Sequence, residues 1–347
     1  MTHGRVRTLG RMDRLRSGLA RVLANRRLVV TLELTALAIL LAALGWALRD
    51  VWVDAAPRLQ HADVTDLGFA LVALAVYYLV FVLGWLRILA AYGIRIPYRV
   101  ALQAEMLSML AKYVPGGVWT PAARVVALRR HGIKETSVVL ASVLLEAGLS
   151  ALAGVGVFVA GLALVDGADA PLLPIAAFAA LVAVLLYPPV FRAVASRLLR
   201  PFGAHDLKPL PGRVALSLLG FYACTWPIGG LALFFLLRSV GGDPAVSSIP
   251  YLGGASAIGA IVSVLVIFAP SGLGVREASV YGLLLAVAPA DVALGAIVLN
   301  RLAITIVEAT LLLVGVLLIR ARPQPTEYDG QDEPRAEPQL APGESRA

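Results

Sequence analysis

Polar and ionisable side chains inside long apolar stretches are the residues of this sequence whose chemistry most needs an explanation. At the centre of a bilayer a charge costs about 2.5–3.5 kcal/mol on insertion scales, so it is kept where it pairs, meets water or binds a ligand. A carboxylate in such a position can contact a cationic group, carry a proton or balance an arginine; the alternative is a purely structural ion pair. The residues in question are Arg124, Glu146, Arg276, Glu277, Asn300 and Glu308.

Arg124 follows an interruption of the apolar pattern. The interruption reads Lys112-Tyr113-Val114-Pro115-Gly116-Gly117-Val118-Trp119-Thr120-Pro121. Its glycines permit a tight turn, while Thr120 is a good N-cap and Pro121 a good first residue of a helix. A helix that begins here has free N–H groups that attract anions, and Arg124 would add a positive charge that suits a phosphate. The alternative for Arg124 is a surface arginine that snorkels to the interface.

A second interruption has the same ingredients. It reads Pro270-Ser271-Gly272-Leu273-Gly274-Val275-Arg276-Glu277. Glycine again loosens the backbone, so we expect a helix to start here with Arg276 and Glu277 in its first turn. Two charges at this depth favour a paired or hydrated role for these side chains. The alternative for the interruption itself is that its glycines and proline merely kink a continuous helix.

The composition determines the environment in which these residues act. Of the 347 residues, 59% are hydrophobic and 15% are charged, whereas soluble domains are about 45–50% apolar and about 25% charged. The formal net charge is +8, but the arginines flank apolar segments rather than forming a basic nucleic-acid patch. The sequence therefore predicts an all-α integral membrane protein that does not bind nucleic acid.

The apolar segments predict about six full spans. Lysine and arginine are in excess in cytoplasmic loops, which places both termini in the cytoplasm of a multi-pass protein of the cell (inner or plasma) membrane. The predicted spans are about 28–48, 67–86, 136–165, 171–190, 214–237 and 291–319.

The two interrupted segments are expected to be re-entrant helical hairpins. The first has basic residues on both flanks, at Arg99 and Arg130, so both of its ends lie on one side. The second is needed to bring residue 320 to the cytoplasm. Spans and hairpins then repeat in the same order with inverted topology, in half-repeats of about 28–165 and 171–320. Paired interrupted segments in corresponding halves point to the central site of a transporter.

The remaining segments define the domain organisation. Residues 1–27 form a basic cytoplasmic arm, 28–320 the membrane domain, and 321–347 a tail rich in proline and acidic residues that we expect to be disordered. The four histidines have no metal-ligand spacing, and the sequence contains no nucleophile elbow or P-loop. We therefore predict no catalytic residue, no metal and no cofactor.

The two interruptions also carry a family resemblance. The segment from Lys112 to Trp119 followed by Arg124, and the segment from Pro270 to Glu277, resemble the two signatures of the lysylphosphatidylglycerol synthase transmembrane-domain family, also called flippase-like. The resemblance covers about residues 28–320. It implies an inner-membrane protein that moves aminoacylated or glycosylated lipids between leaflets, here as a stand-alone member without the soluble aminoacyltransferase domain.

Three functional hypotheses remain open. The first is a flippase that translocates phospholipid or glycolipid headgroups, with anionic or aminoacylated lipids as partners and no catalytic activity. The second is a membrane-embedded glycosyltransferase that uses a polyprenyl-phosphate sugar donor; its candidate acids are Asp50, Asp54, Asp63 and Asp66. The third is a non-catalytic partner of a separate lipid-modifying synthase. The expected substrate-binding residues are Lys112, Pro115, Gly116, Gly117, Trp119, Arg124, Glu146, Pro270, Gly272, Gly274, Arg276, Glu277, Asn300 and Glu308.

Overall fold

A computed structural model describes residues 57–111, 119–165, 172–202, 208–266 and 274–320 of the chain. Within these ranges the protein is helical and contains no β-strand, which confirms the all-α prediction. From residue 64 onward the α-helices are α1 (Val64–Ala91), α2 (Tyr98–Ala111), α3 (Trp119–Arg129), α4 (Thr136–Leu162), α5 (Leu172–Leu186), α6 (Pro188–Leu198), α7 (Gly212–Ser239), α8 (Ile249–Leu265), α9 (Val275–Leu284) and α10 (Ala290–Arg320).

Five of the described segments are long and apolar enough to cross a membrane. They are Val64–Ala91, Thr136–Leu162, Gly212–Ser239, Val246–Leu265 and Ala290–Val314, and α5 with α6 makes a sixth if the bent pair is counted as one span. Three predicted spans, about 67–86, 136–165 and 214–237, correspond to α1, α4 and α7, and the span about 291–319 corresponds to α10.

The predicted span about 171–190 differs from the structure. Two helices, α5 and α6, meet there at an angle of 77°. The bend lies at Tyr187, whose ψ of 123° is extended, and Pro188 and Pro189 follow it. A proline clashes with a helical conformation of the residue before it, so the chain turns at Tyr187 and restarts with proline at the first helical positions, where no N–H is needed.

Several sequence predictions fall outside the described residues. They are the span about 28–48, the arm 1–27, the tail beyond residue 320 and the turns at the two interruptions. The helices that flank those turns are described. The segment Val246–Leu265, just before the second interruption and within the predicted second hairpin, is long and apolar enough to form a full span.

The centre of the bundle is formed by α1 and α7, which pack along each other. Glycine allows the close approach of α8 to its neighbours. A Cβ at Gly230 of α7 would lie 2.2 Å from the carbonyl oxygen of Ile249, and a Cβ at Gly254 of α8 would lie 2.3 Å from the Cα of Phe158 on α4. Small residues of this kind let membrane helices pack backbone to backbone.

The principal helix contacts form matched sets. Helix α2 packs against α3 and α10, and α8 packs against α9 and α4. Both α1 and α7 contact α4 and α10; α1 also contacts α2, and α7 contacts α8. Exchanging α1 with α7, α2 with α8, α3 with α9 and α4 with α10 leaves this pattern unchanged.

Candidate functional site

A buried charged cluster surrounds Arg124. We define the Arg124 cluster as Arg124 on α3, Glu105 and Ser108 on α2, Glu146 on α4 and Trp85 on α1. The guanidinium forms ion pairs with both Glu105 and Glu146, and its Nε donates a hydrogen bond of 3.3 Å to the hydroxyl of Ser108. Four helices therefore meet at one arginine.

Burial decides between the alternatives for Arg124. The residue is only 4% exposed, and Glu146 is 2% exposed. A snorkelling arginine would keep its guanidinium in water or headgroups, so this interpretation does not fit. The charge is instead held by two carboxylates, a hydroxyl and an aromatic face: the guanidinium carbon lies 4.5 Å from the ring centroid of Trp85, a distance typical of a cation–π contact.

Trp85 is itself held in place. Its indole N–H donates a hydrogen bond of 2.9 Å to the hydroxyl of Ser142 on α4, and the residue is fully buried in the core. Since a buried indole N–H needs an acceptor, Ser142 fixes the ring that Arg124 lies against. The geometry gives Arg124 little freedom to reorient toward a ligand.

Arg276 has a different environment. It lies in the first turn of α9, two residues after Gly274, whose φ of 80° lies in the left-handed region that favours glycine. Its Nε is buried and has no hydrogen-bond partner in the described part of the chain. A buried guanidinium N–H without an acceptor costs about 1–3 kcal/mol or more, so this group calls for an additional acceptor.

Glu277 completes the start of α9. One carboxylate oxygen accepts a hydrogen bond of 2.8 Å from the backbone N–H of Gly274, and the other is 3.2 Å from a guanidinium nitrogen of Arg301 on α10. The side chain thus caps one of the free N–H groups at the helix start and ties α9 to α10. Its position at the second interruption is as expected, and its contacts are those of a positioning residue.

Glu308 and Asn300 lie on α10. The hydroxyl of Tyr78 on α1 donates a hydrogen bond of 2.7 Å to Glu308, and Glu308 is 3% exposed. Asn300 is half-buried one position before Arg301. Of the other candidates, Trp119 begins α3 and is 41% exposed. Six candidates in the two turns lie outside the described residues: Lys112, Pro115, Gly116, Gly117, Pro270 and Gly272.

Tyr77 connects the two charged regions. It belongs to α1 and interacts electrostatically with Arg276, Glu105 and Glu146. Its neighbour Tyr78 interacts with both Glu308 and Arg276. The predicted polar residues of the two halves are therefore brought to the same central helix, although they are up to 184 positions apart in the sequence.

A known family model covers most of the chain. Residues 33–313 match the family model of the lysylphosphatidylglycerol synthase TM region. The chain belongs to this family. Among curated proteins, none matches the chain.

Membership of the family confirms the resemblance carried by the two interruptions and identifies the chain as a multi-pass membrane protein related to lipid metabolism. The matched range contains both charged regions and every described helix except the last residues of α10. The site is therefore part of the family's membrane region.

Several residues of the site were missed by sequence reasoning. Glu105 lies in the moderately apolar stretch before the first interruption, where the insertion-cost argument used for Glu146 applies equally. The aromatic residues Trp85, Tyr77 and Tyr78 had no comparable signal, because aromatic side chains are ordinary components of a membrane helix. Only their position next to charged groups distinguishes them.

The acidic residues considered for a glycosyltransferase have structural contacts where they are described. Asp63 is the N-cap of α1 and accepts hydrogen bonds from the N–H groups of Thr65 and Asp66, which lower the pKa of its carboxyl. Asp66 lies 3.4 Å from Arg238. Asp50 and Asp54 fall outside the described residues. Within the described ranges no group of three or more histidine, cysteine or acidic side chains is arranged to hold a metal.

Proposed function

We propose that the protein moves phosphate-bearing lipid headgroups between the leaflets of the cell membrane, with the headgroup held at the start of α9. The observation that carries the proposal is the buried Nε of Arg276, which has no hydrogen-bond partner among the described residues. A guanidinium is the side chain best suited to a phosphate, because it offers several N–H donors in one plane. The N-terminus of α9 adds backbone N–H groups beside it.

Arg276 is a better candidate for this contact than Arg124. The guanidinium of Arg124 is already paired with two carboxylates, so a phosphate would have to displace one of them and leave it buried without its partner. Such a rearrangement costs several kcal/mol. At Arg276 a phosphate oxygen would supply an acceptor that the described part of the protein lacks.

The proposed architecture is an inverted repeat with two re-entrant hairpins, α2 with α3 and α8 with α9. The matched packing of α1 to α4 and α7 to α10 supports it, as does the position of each hairpin against the last helix of the other half. In such folds the substrate site lies near the bilayer midplane, where broken helices meet. Rocking of one half against the other would expose the headgroup to each leaflet in turn, with both chain termini in the cytoplasm.

The test is reconstitution into liposomes that contain fluorescently labelled lipids with anionic, zwitterionic, aminoacylated or glycosylated headgroups. We expect the purified protein to move at least one phosphate-bearing class across the bilayer, and Arg276→Gln to abolish that movement. Arg238→Gln is a matched control, since Arg238 is half-exposed and pairs only peripherally with Asp66. Folded wild-type protein that moves none of these lipids would refute the proposal.

Partnership with a separate lipid-modifying enzyme is compatible with the same site. Such an enzyme would supply the lipid in one leaflet, and the protein would redistribute it. The reconstitution separates this arrangement from a role in which the protein only binds a synthase. A protein with only that role would move no lipid when purified alone.

A further inference from the structure

The Arg124 cluster also contains a buried oxygen atom that has no hydrogen-bond partner among the described residues. Glu146 pairs with Arg124 through one carboxylate oxygen, Oε2. The other oxygen, Oε1, is buried and finds no hydrogen-bond partner in the ranges that the structure describes. Because Arg124 also pairs with Glu105, the single positive charge that balances Glu146 is shared between two carboxylates.

The charges of the cluster do not balance when both carboxylates are ionised. Arg124 supplies one positive charge, and it pairs with both Glu105 and Glu146. Arg124 is 4% exposed, Glu105 1% and Glu146 2%. An uncompensated charge taken out of water is costly, so one proton on a carboxylate would make the buried cluster neutral.

We infer that Glu146 is a proton-binding site. A proton added to Oε1 converts the carboxylate to a carboxylic acid, and Arg124 is left to balance Glu105. Loss of the proton restores the carboxylate, and no other bond is formed or broken.

The surroundings of Glu146 contain few other ionisable groups. Arg124 faces it from α3, Glu105 from α2, Tyr222 from α7 and Tyr77 from α1. Tyr77 on α1 interacts electrostatically with both Glu146 and Arg276, so the proton site and the proposed headgroup site both adjoin this helix. A negative charge on Glu146 disfavours a phosphate nearby, whereas the protonated form does not, so proton binding and headgroup binding are expected to be coupled.

The coupling rests on the proposed function, but proton binding by itself does not. The first experiment therefore uses purified protein without transport. Infrared difference spectra on acidification are expected to show the C=O stretch of a buried protonated carboxylic acid, which Glu146→Gln removes and Glu135→Gln retains. Glu135 lies at the start of the same helix, outside the cluster. A band that persists in Glu146→Gln, or that never appears in the wild type, would overturn the proton site.

Glu105→Gln provides a second measurement should Glu146→Gln fail to fold. Arg124 then balances Glu146 alone, so the C=O band of the buried acid is expected to appear only at lower pH than in the wild type. Glu135→Gln, just before α4 and outside the cluster, is the matched control. A band that responds to pH identically in Glu105→Gln and in the wild type would overturn the shared charge on which the proton site rests.

The coupling is tested in liposomes with an imposed pH difference. We expect the difference to change the rate of lipid movement by the wild type and by Glu135→Gln, and the gradient-dependent part of the rate to be lost in Glu146→Gln. Lipid movement that ignores the gradient in the wild type would overturn the coupling. A titrating Glu146 band in a protein that moves no lipid would support the proton site and refute the proposed function.

Discussion

The two arginines that follow the interruptions have opposite surroundings. Arg124 is enclosed by two carboxylates, a hydroxyl and an indole ring. Arg276 lies beside two tyrosines of α1 with a buried Nε that no described group accepts. The same sequence feature thus places one arginine in a closed cluster of protein groups and leaves the other with an N–H that no described residue accepts.

The difference shows why a shared motif does not imply a shared role. The charge of Arg124 is used to hold α1, α2, α3 and α4 together, whereas Glu277, the acidic neighbour of Arg276, is engaged with Gly274 and Arg301 instead. Because the nearby carboxylate is occupied elsewhere, Arg276 keeps donor capacity for a ligand. Four variants test this contrast.

Removing Arg124 is expected to have the largest effect on stability. Arg124→Gln leaves two buried carboxylates without their counter-charge, and breaking a buried ion pair on one side costs about 3–5 kcal/mol. We expect a large drop in the thermal unfolding midpoint of the purified protein. The double variant Arg124→Gln/Glu146→Gln should recover part of the loss, and an unchanged midpoint in the single variant would contradict the closed cluster.

Removing Arg276 is expected to weaken ligand binding rather than the fold. A hydrogen bond to a charged group is worth about 1.5–3 kcal/mol, so Arg276→Gln should reduce affinity for a phosphate-bearing lipid by about 10–100-fold, measured by lipid binding to the protein in detergent. The unfolding midpoint should change much less than in Arg124→Gln. The reverse order of the two effects would remove the contrast between the arginines.

The contact between Tyr78 and Glu308 should contribute an intermediate amount to stability. Tyr78→Phe removes a buried hydrogen bond of 2.7 Å, and interhelical hydrogen bonds in membrane proteins are worth about 0.6 kcal/mol on average, with a maximum of about 1.7. A double-variant cycle with Glu308→Gln isolates this interaction in unfolding experiments. A coupling energy of zero would show that the second half is not tied to α1 through this pair.

The smallest effect is expected at the start of α1, where the cap differs from that of α9. Asp63 caps α1 with its own carboxylate, and its pKa is lowered by the two backbone hydrogen bonds it accepts. Its stabilising contribution is therefore present above the ordinary carboxyl pKa and is lost as pH falls through the lowered value. Wild-type stability should fall more steeply with acid than that of Asp63→Asn, whose amide still caps, and parallel pH profiles would contradict this.

Much of the fold was predictable from residues alone. The lengths of the apolar segments predicted the positions of α1, α4, α7 and α10, because a bilayer requires long uninterrupted hydrophobic helices. The start of α9 was indicated by Gly274 and the charges after it. The bend at Tyr187 was not predicted, although Pro188 and Pro189 follow it in the sequence. The length and apolar character of residues 171–190 fit a single continuous span, and the two prolines were not given enough weight against it.

The sequence by itself determined which residues are costly in a membrane: Arg124, Glu146, Arg276 and Glu308 were all identified by the price of burying a charge. It could not determine which of them meet. Only the tertiary structure decided that Arg124 is shared by Glu105 and Glu146 while Arg276 keeps a donor without a partner in the described residues. The physical reason is that insertion cost is a property of one side chain in its own helix, whereas charge balance depends on the neighbouring helices that fold against it.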